Sequence, residues 1–242
     1  MRDAFPRLAR ACARGSRIAV GLGLLTPVAC GLAPSRDERR PSFAPGQPAV
    51  SCDGDQSCRF LTPGEIRLAS IIFGNSIDYA AIRIFNSPGG ILGQFANLTA
   101  YRNDISIHDP ARYAPDFSQE PPALRELFLH EMTHVWQYQS GRNFVRETAS
   151  DFIRHGFDRR AVYDYALDRP QLSDYSTEQQ AYMVATYYAR RVDAADAGNA
   201  GRRPALCALV RAHEAILAAE LPLQRSPVCA AASGPAPPRG SP

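Results

Sequence analysis

The stretch LRELFLHEMTHVWQYQSGR, residues 124–142, decides how the rest of the chain is interpreted. Apolar and aromatic residues recur in it at spacings of three and four, which is the period of one face of an α-helix. Gly141 follows the last periodic residue and predicts the end of that helix. Within the helix, His130 and His134 lie four residues apart, and Glu131 directly follows the first histidine.

The segment LTPGEIRLASIIFGN, residues 61–75, predicts an earlier helix with clear signals at both ends. Thr62 is a suitable N-cap, Pro63 suits the first helical position, and Glu65 completes a capping box. Gly74 predicts the end of the helix. The pattern is consistent enough to fix both boundaries from sequence.

Two segments rich in β-branched and aromatic residues, IDYAAIRIF (77–85) and LTAYRNDISIHD (98–109), predict two strands. Helical patterns dominate after residue 121, and a predicted helix over residues 121–140 contains the opening stretch except for its last two residues. Three more helices are predicted, over Asn143–His155, from Thr177 to about Val192, and over Pro204–Ala219. The expected fold is therefore α+β and mainly helical, with a small sheet before the 124–142 stretch.

Charge and composition exclude a nucleic-acid-binding surface. All 27 basic residues of the 242-residue chain are arginine, and the formal net charge is +3. Residues 1–30 hold five arginines and one aspartate, so the remaining chain carries 22 basic and 23 acidic residues. A nucleic-acid partner would require a clustered basic face, which this near-neutral body does not offer.

The N-terminus has the pattern of an export signal. Several arginines precede the apolar run IAVGLGLLTPVAC, residues 18–30, which is too short to span a bilayer. Residues 1–30 are predicted to be a signal peptide, with Cys30 as an alternative lipobox cysteine that would attach the chain to the outer membrane. The expected location is the periplasm, the outer membrane or the medium.

Residues 31–50 and 230–242 are rich in Pro, Gly, Ser and Arg, which predicts a tether and a disordered tail around one domain at 51–229. Four cysteines lie outside the signal segment. An even number in an exported chain predicts two disulfides. We expect the pairs Cys52–Cys58 and Cys207–Cys229, because each pair flanks one end of the domain.

The HEMTH pentapeptide predicts a zinc site built for hydrolysis. A helix places residues four apart on one face, so His130 and His134 can offer two imidazole nitrogens to one ion. Glu131 lies about 100° round the helix, where a carboxylate can accept a proton from activated water. The alternative is a pair of ordinary core histidines satisfied by hydrogen bonds, which the amphipathic context of the motif disfavours. Trp136 is expected to belong to the core.

The third ligand must come from elsewhere in the chain, because Ser140 stands where an extended metal-binding pattern has a third histidine. The downstream candidates are Glu147, Asp151, His155 and Glu178. Glu178 opens a strong predicted helix that could pack antiparallel to the first, so helix placement favours it, with Asp151 and His155 as alternatives.

The stretches LHEMTHVWQYQSG, VYDYAL and LSDYSTEQQA together resemble gluzincin-type metallopeptidases, and more closely a bacterial family of Vgr-related or Rhs-associated zinc peptidases. The resemblance covers roughly residues 60–192. It implies a zincin-like domain with Zn²⁺ on His130, His134 and Glu178, and Glu131 as the general base. Tyr182 stands where some of these peptidases have an aspartate that supports a ligand histidine, so Asp151 or Asp174 is expected to give that support.

A hydrogen-bond donor is also expected beside the oxyanion of the transition state. Its candidates are Tyr175, Tyr182 and His155, followed by Tyr163 and Tyr165. The sequence thus predicts an exported zinc metallopeptidase acting on a peptide or protein. Two alternatives remain: a non-catalytic zinc-binding envelope module, and, by family analogy alone, an accessory factor of a secretion system.

Overall fold

A computed structural model describes residues 50–52, 55–88, 98–142, 144–156 and 158–231. Its sheet has five strands in the order β1-β2-β3-β5-β4, and only the β3–β5 pair is parallel. The strands are β1 (Ser51–Cys52), β2 (Asp55–Phe60), β3 (Arg83–Asn86), β4 (Leu98–Tyr101) and β5 (Asp104–Ile107). Among the described residues, β4 therefore forms one edge of the sheet.

Seven α-helices accompany the sheet in the part of the chain that the structure describes. They are α1 (Pro63–Phe73), α2 (Pro122–Gln139), α3 (Phe144–Arg154), α4 (Arg159–Tyr163), α5 (Thr177–Ala195), α6 (Arg203–Leu217) and α7 (Pro227–Ala231). The expected α+β fold, mainly helical with a small sheet, is confirmed. The helices predicted over 143–155, 177–192 and 204–219 correspond to α3, α5 and α6.

The strands of the structure differ from the two predicted strands in number and in bounds. The segment 77–85 begins with a 3₁₀ turn at Tyr79–Ala81, and its strand starts only at Arg83. The segment 98–109 is not one strand but the hairpin β4–β5, with Tyr101 paired to Asp104. Arg102 in the turn has φ 59, a left-handed conformation in which non-glycine residues are uncommon and which the sequence did not signal. Strands β1 and β2, which precede α1, were not predicted.

Helix α1 has the predicted ends. The Thr62 side chain accepts a hydrogen bond from the amide of Glu65, whose carboxylate accepts one from the amide of Thr62. Pro63 begins the helix and Gly74, with φ 49, caps its end. The Glu65 carboxylate is also fully buried and forms an ion pair with Arg59. One residue thus joins the start of α1 to β2.

The core lies between the sheet and the helices. Ile84, Ile105 and Ile107 contribute apolar side chains from the strands. Helix α2 contributes buried residues from several of its turns, among them Phe128, Leu129, Met132, Val135 and Trp136. Trp136 is in the core, as expected. The same packing holds α2 against both β4 and α5, which fixes where its polar residues lie.

Both predicted disulfides are present. Cys52–Cys58 joins β1 to β2, and Cys207–Cys229 joins α6 to α7. All described residues belong to one compact unit, Arg40–Pro242. The predicted signal peptide with Cys30, most of the tether and most of the tail lie outside the described residues. Within those residues, no helix combines the length and apolar character needed to cross a membrane.

Candidate metal centre

Helices α2 and α5 bring three metal-ligating side chains together. His130 and His134 project from successive turns of α2, and Glu178 lies in the first turn of α5. Ser176 caps α5 and forms a capping box with Gln179, which sets where the helix begins. His134 and Glu178 are buried, and His130 is partly exposed. In the described part of the chain, this is the one such group of His, Cys, Asp and Glu.

The three ligand atoms form a nearly equilateral triangle. The Nε2 atoms of the two histidines are 3.3 Å apart, and each lies 3.4 Å from Oε2 of Glu178. Ligands at about 2.0–2.1 Å in tetrahedral geometry would be roughly 3.3–3.4 Å from one another. The triangle therefore matches one face of such a coordination sphere, with the fourth corner left to another group.

The electrostatics of the cluster also suit a cation. Glu178 Oε2 is buried and has no well-aligned hydrogen bond from a described residue, and its nearest partners are the two imidazole nitrogens at 3.4 Å. Burial alone would raise the pKa of Glu178, but the two imidazoles hold it well below its usual range. Burial alone would lower the pKa of His134, but Glu178 and Glu131 raise it to about 9. His130, His134 and Glu178 thus fit a metal ion, which would occupy the position that both imidazoles and the carboxylate face.

Glu131 lies on the same helix as the histidines and is buried, with 5% of its surface exposed. Burial raises the pKa of its carboxyl, while the two imidazoles act in the opposite direction. The backbone amide of Ala100 in β4 is close enough to this carboxyl to lower its pKa. The residue that the sequence assigned as the base therefore lies between the ligand cluster and the edge of the sheet.

His134 has a partner that sequence reasoning missed. Its Nδ1 lies 2.9 Å from Oε1 of Gln137, which is one turn further along α2. The two residues expected in that supporting role have other contacts: Asp151 accepts a hydrogen bond from Arg154, and Asp174 accepts one from the amide of Gln171. A buried glutamine on a core helix matches no sequence motif, which is why Gln137 was not a candidate.

The proposed oxyanion donors occupy different environments. Tyr175 is buried, and its hydroxyl bonds to the backbone of Ala166 and Arg169. Tyr182 is 46% exposed, and its ring packs edge-on against Tyr163. The Tyr163 ring centre lies 6.1 Å from that of His130. Tyr163, a secondary candidate from the sequence, is thus close to the ligand cluster. The hydroxyl of Tyr175 is instead engaged in hydrogen bonds to the backbone.

The alternative third ligands border a different feature, a cavity of about 720 Å³ between α3 and the start of α5. Asp151, the exposed His155, Asp174 and Tyr175 all line it, together with four arginines. His155 therefore lies with the other alternative third ligands beside this cavity, whereas Glu178 lies with the two histidines.

Comparisons with known proteins place this arrangement in context. No family model matches the chain. The type VI secretion system spike protein VgrG2b of Pseudomonas aeruginosa is 34% identical over 145 residues, which cover 60% of this chain. A solved structure, the effector domain of P. aeruginosa VgrG2b, is 32% identical and matches 62% of this chain and 79% of that domain, with a TM-score of 0.48. The chain belongs to a Vgr-related family.

The relationship rests on sequence identity and not on the superposition. The chain spans about 14% of the length of VgrG2b, so the homology concerns the effector domain and leaves out most of the spike protein. The family resemblance seen in the sequence is in this respect confirmed.

Proposed function

We propose that the chain is a zinc-dependent peptidase. The observation that carries the proposal is the triangle of His130 Nε2, His134 Nε2 and Glu178 Oε2, in which the carboxylate oxygen has no well-aligned hydrogen bond, with Glu131 beside it. Two imidazoles and one carboxylate with an open fourth position form a typical donor set for catalytic zinc. When bound, the metal supplies a Lewis acid and makes water a better nucleophile near neutral pH.

The residues of the chain perform the proton transfers. Glu131 accepts a proton from the attacking water and returns it to the leaving nitrogen of the peptide bond. Its burial suits both steps, because a carboxyl whose pKa is raised holds a proton more readily than an exposed glutamate. Because its ring lies near that of His130, Tyr163 is the donor that we propose for the oxyanion, ahead of Tyr182, Tyr175 and His155.

Strand β4 supports a peptide as the substrate. The backbone amide of Ala100 lowers the pKa of the Glu131 carboxyl, which places this part of β4 beside the cluster. An extended peptide can add to such an edge through backbone hydrogen bonds, which would bring its peptide bonds past Glu131. This mode of binding depends little on side chains and leaves the cleavage preference to other contacts.

Homology and the cysteines support a proposed role outside the producing cell. The relative is a type VI secretion spike protein with an effector domain, and we propose that this chain is likewise a type VI-associated effector with a secretion-system partner. Two disulfides fit an oxidising compartment such as the periplasm. The non-catalytic zinc module is the less favoured function, because a structural site needs no carboxylate at Glu131.

The test measures zinc and peptide cleavage on the same set of proteins. We expect about one zinc per chain in the wild type and in Glu131→Gln, and loss of zinc in His134→Ala and Glu178→Ala. Cleavage of a mixture of unstructured peptides, followed by mass spectrometry, should fall by about 10²–10⁴ in Glu131→Gln. A folded wild type without zinc would contradict the proposal, and zinc with cleavage unchanged in Glu131→Gln would remove its mechanism.

A further inference from the structure

Gln137 is at the centre of a buried network of side-chain amides beside the ligand cluster. It is fully buried, and its Oε1 lies 2.9 Å from Nδ1 of His134. Its Nε2 lies 3.0 Å from the carbonyl oxygen of Thr177 and 3.0 Å from Oε1 of Gln180. Gln137 therefore joins a ligand histidine on α2 to the first turn of α5, which carries Glu178.

The orientation of the Gln137 amide is fixed by groups that cannot reverse their roles. A backbone carbonyl only accepts hydrogen bonds, so the group facing Thr177 must be the NH₂ of Gln137. Gln180 is fixed in the same way, because its own NH₂ donates to the carbonyl of Tyr175 at 2.7 Å. Its Oε1 then receives a hydrogen bond from Arg142, whose guanidinium has donors only.

This orientation determines which nitrogen of His134 carries hydrogen. Since Oε1 of Gln137 can only accept, Nδ1 of His134 must be the donor. In the neutral ring, Nε2 then holds the lone pair, and it is Nε2 that faces His130 and Glu178. A histidine with the opposite tautomer would direct an N–H at the other two ligand atoms.

We propose that Gln137 is a positioning residue, held by Thr177, Gln180 and Arg142, that keeps His134 in its Nδ1–H form with Nε2 ready for the metal. This inference rests on the proposed metal site and extends it to a residue that does not itself touch the ion. A neutral amide suits the role, because Glu131 and Glu178 already bring two carboxyl groups into this buried region.

Two substitutions separate positioning from simple packing. Gln137→Met keeps the volume but removes the acceptor, and we expect zinc to bind about 10–100-fold more weakly. Gln137→Glu keeps an acceptor for His134, and its second oxygen can donate to Thr177 when protonated. We expect it to retain zinc affinity within a few-fold, while the metal-free protein unfolds at lower urea because a further carboxyl group is buried.

Gln139→Met is the matched control, since Gln139 lies on the same helix and its amide contacts Asp78 and Asn103 instead. Zinc affinity is measured by competition with a chromophoric chelator on the full chain, and we expect no change in this control. Wild-type affinity in a folded Gln137→Met, or equal losses in the Met and Glu variants, would overturn the inference. Absence of zinc from the wild type would instead overturn the proposed function, and this inference with it.

A second measurement does not depend on whether the variants fold. In the zinc-loaded wild type, ¹⁵N-resolved NMR of the imidazole should show the His134 hydrogen on Nδ1, exchanging slowly with solvent because it is buried and bonded. A hydrogen on Nε2 of His134 would overturn the inference regardless of the affinity data.

Discussion

Two buried glutamates lie in the first turns of two helices, and their surroundings differ sharply. In α1, both oxygens of Glu65 accept hydrogen bonds: Oε1 from Arg59 at 2.7 Å and Phe117 at 2.9 Å, and Oε2 from Arg59 at 2.9 Å and Thr62 at 2.8 Å. In α5, Oε2 of Glu178 has no well-aligned hydrogen bond from the described residues.

The difference separates a glutamate that serves the fold from one that could hold a metal ion. Glu65 is itself the capping-box residue of its helix and also neutralises a buried guanidinium. In α5 the capping box is completed by the neighbouring Gln179, so the Glu178 carboxylate is not needed to begin the helix. The two roles are separated by the hydrogen bonds that each carboxylate accepts, more than by its burial.

The largest expected effect comes from neutralising each glutamate in turn. Glu65→Gln leaves Arg59 buried with a charge that it cannot lose, so we expect the free energy of unfolding to fall by about 3–5 kcal/mol. Glu178→Gln should cost less than half as much, because the neighbouring His134 can give up its proton, as Arg59 cannot. Urea unfolding with a chelator present measures both, and equal losses would remove the distinction.

A smaller effect is expected from adding the metal. Zinc at 100 times its dissociation constant should stabilise the wild type by about 2.7 kcal/mol. Glu65→Gln should show the same increment on a lower baseline, since distant and independent sites are additive. Glu178→Gln should show little or none. If the increment were lost in Glu65→Gln and kept in Glu178→Gln, Glu178 would not be a metal ligand.

The smallest effect extends the comparison to a histidine that the fold fully satisfies. His213 is buried, with Nδ1 2.7 Å from the carbonyl of Leu209 and Nε2 2.9 Å from the hydroxyl of Tyr165. Burial lowers its pKa below the ordinary 6.5, even though the Leu209 carbonyl acts in the opposite direction. The unfolded chain therefore takes up this proton more readily, and stability is lost as the pH falls below about 6.5.

His213→Gln removes this titration. We expect the stability difference between variant and wild type to shrink on going from pH 8 to pH 5.5, by about 1 kcal/mol or less. Urea unfolding at the two pH values, with a chelator present, measures this change. A difference that is the same at both pH values would show that His213 has no depressed pKa.

Much of the fold could be predicted because its signals are local. The cap at Thr62, the stop at Gly74 and the three-and-four spacing in α2 depend on neighbours within a few residues. The hairpin turn at Arg102 was missed because a non-glycine residue there takes a left-handed conformation that only its surroundings stabilise. Strands β1 and β2 were missed because short strands in a sheet depend on pairing and not on their own composition.

The same division applies to the candidate site. His130, Glu131 and His134 could be selected from their spacing, and Glu178 from its place at the start of a strong helix. The contact of Gln137 with His134 could not be predicted, because it depends on how α2 packs against α5 and on which way an amide faces. Tyr163 also gains its importance only from packing, through its position near the His130 ring.

A long segment connects the two helices that hold the cluster, and it contributes none of the three side chains of that cluster. Helices α3 and α4 lie between His134 and Glu178 in the chain, and Tyr163 at the end of α4 borders the His130 ring. Connecting segments tolerate change more readily than the elements that carry them. A substitution in this segment can therefore change what borders the cluster while both helices, and the side chains they bring together, keep their places.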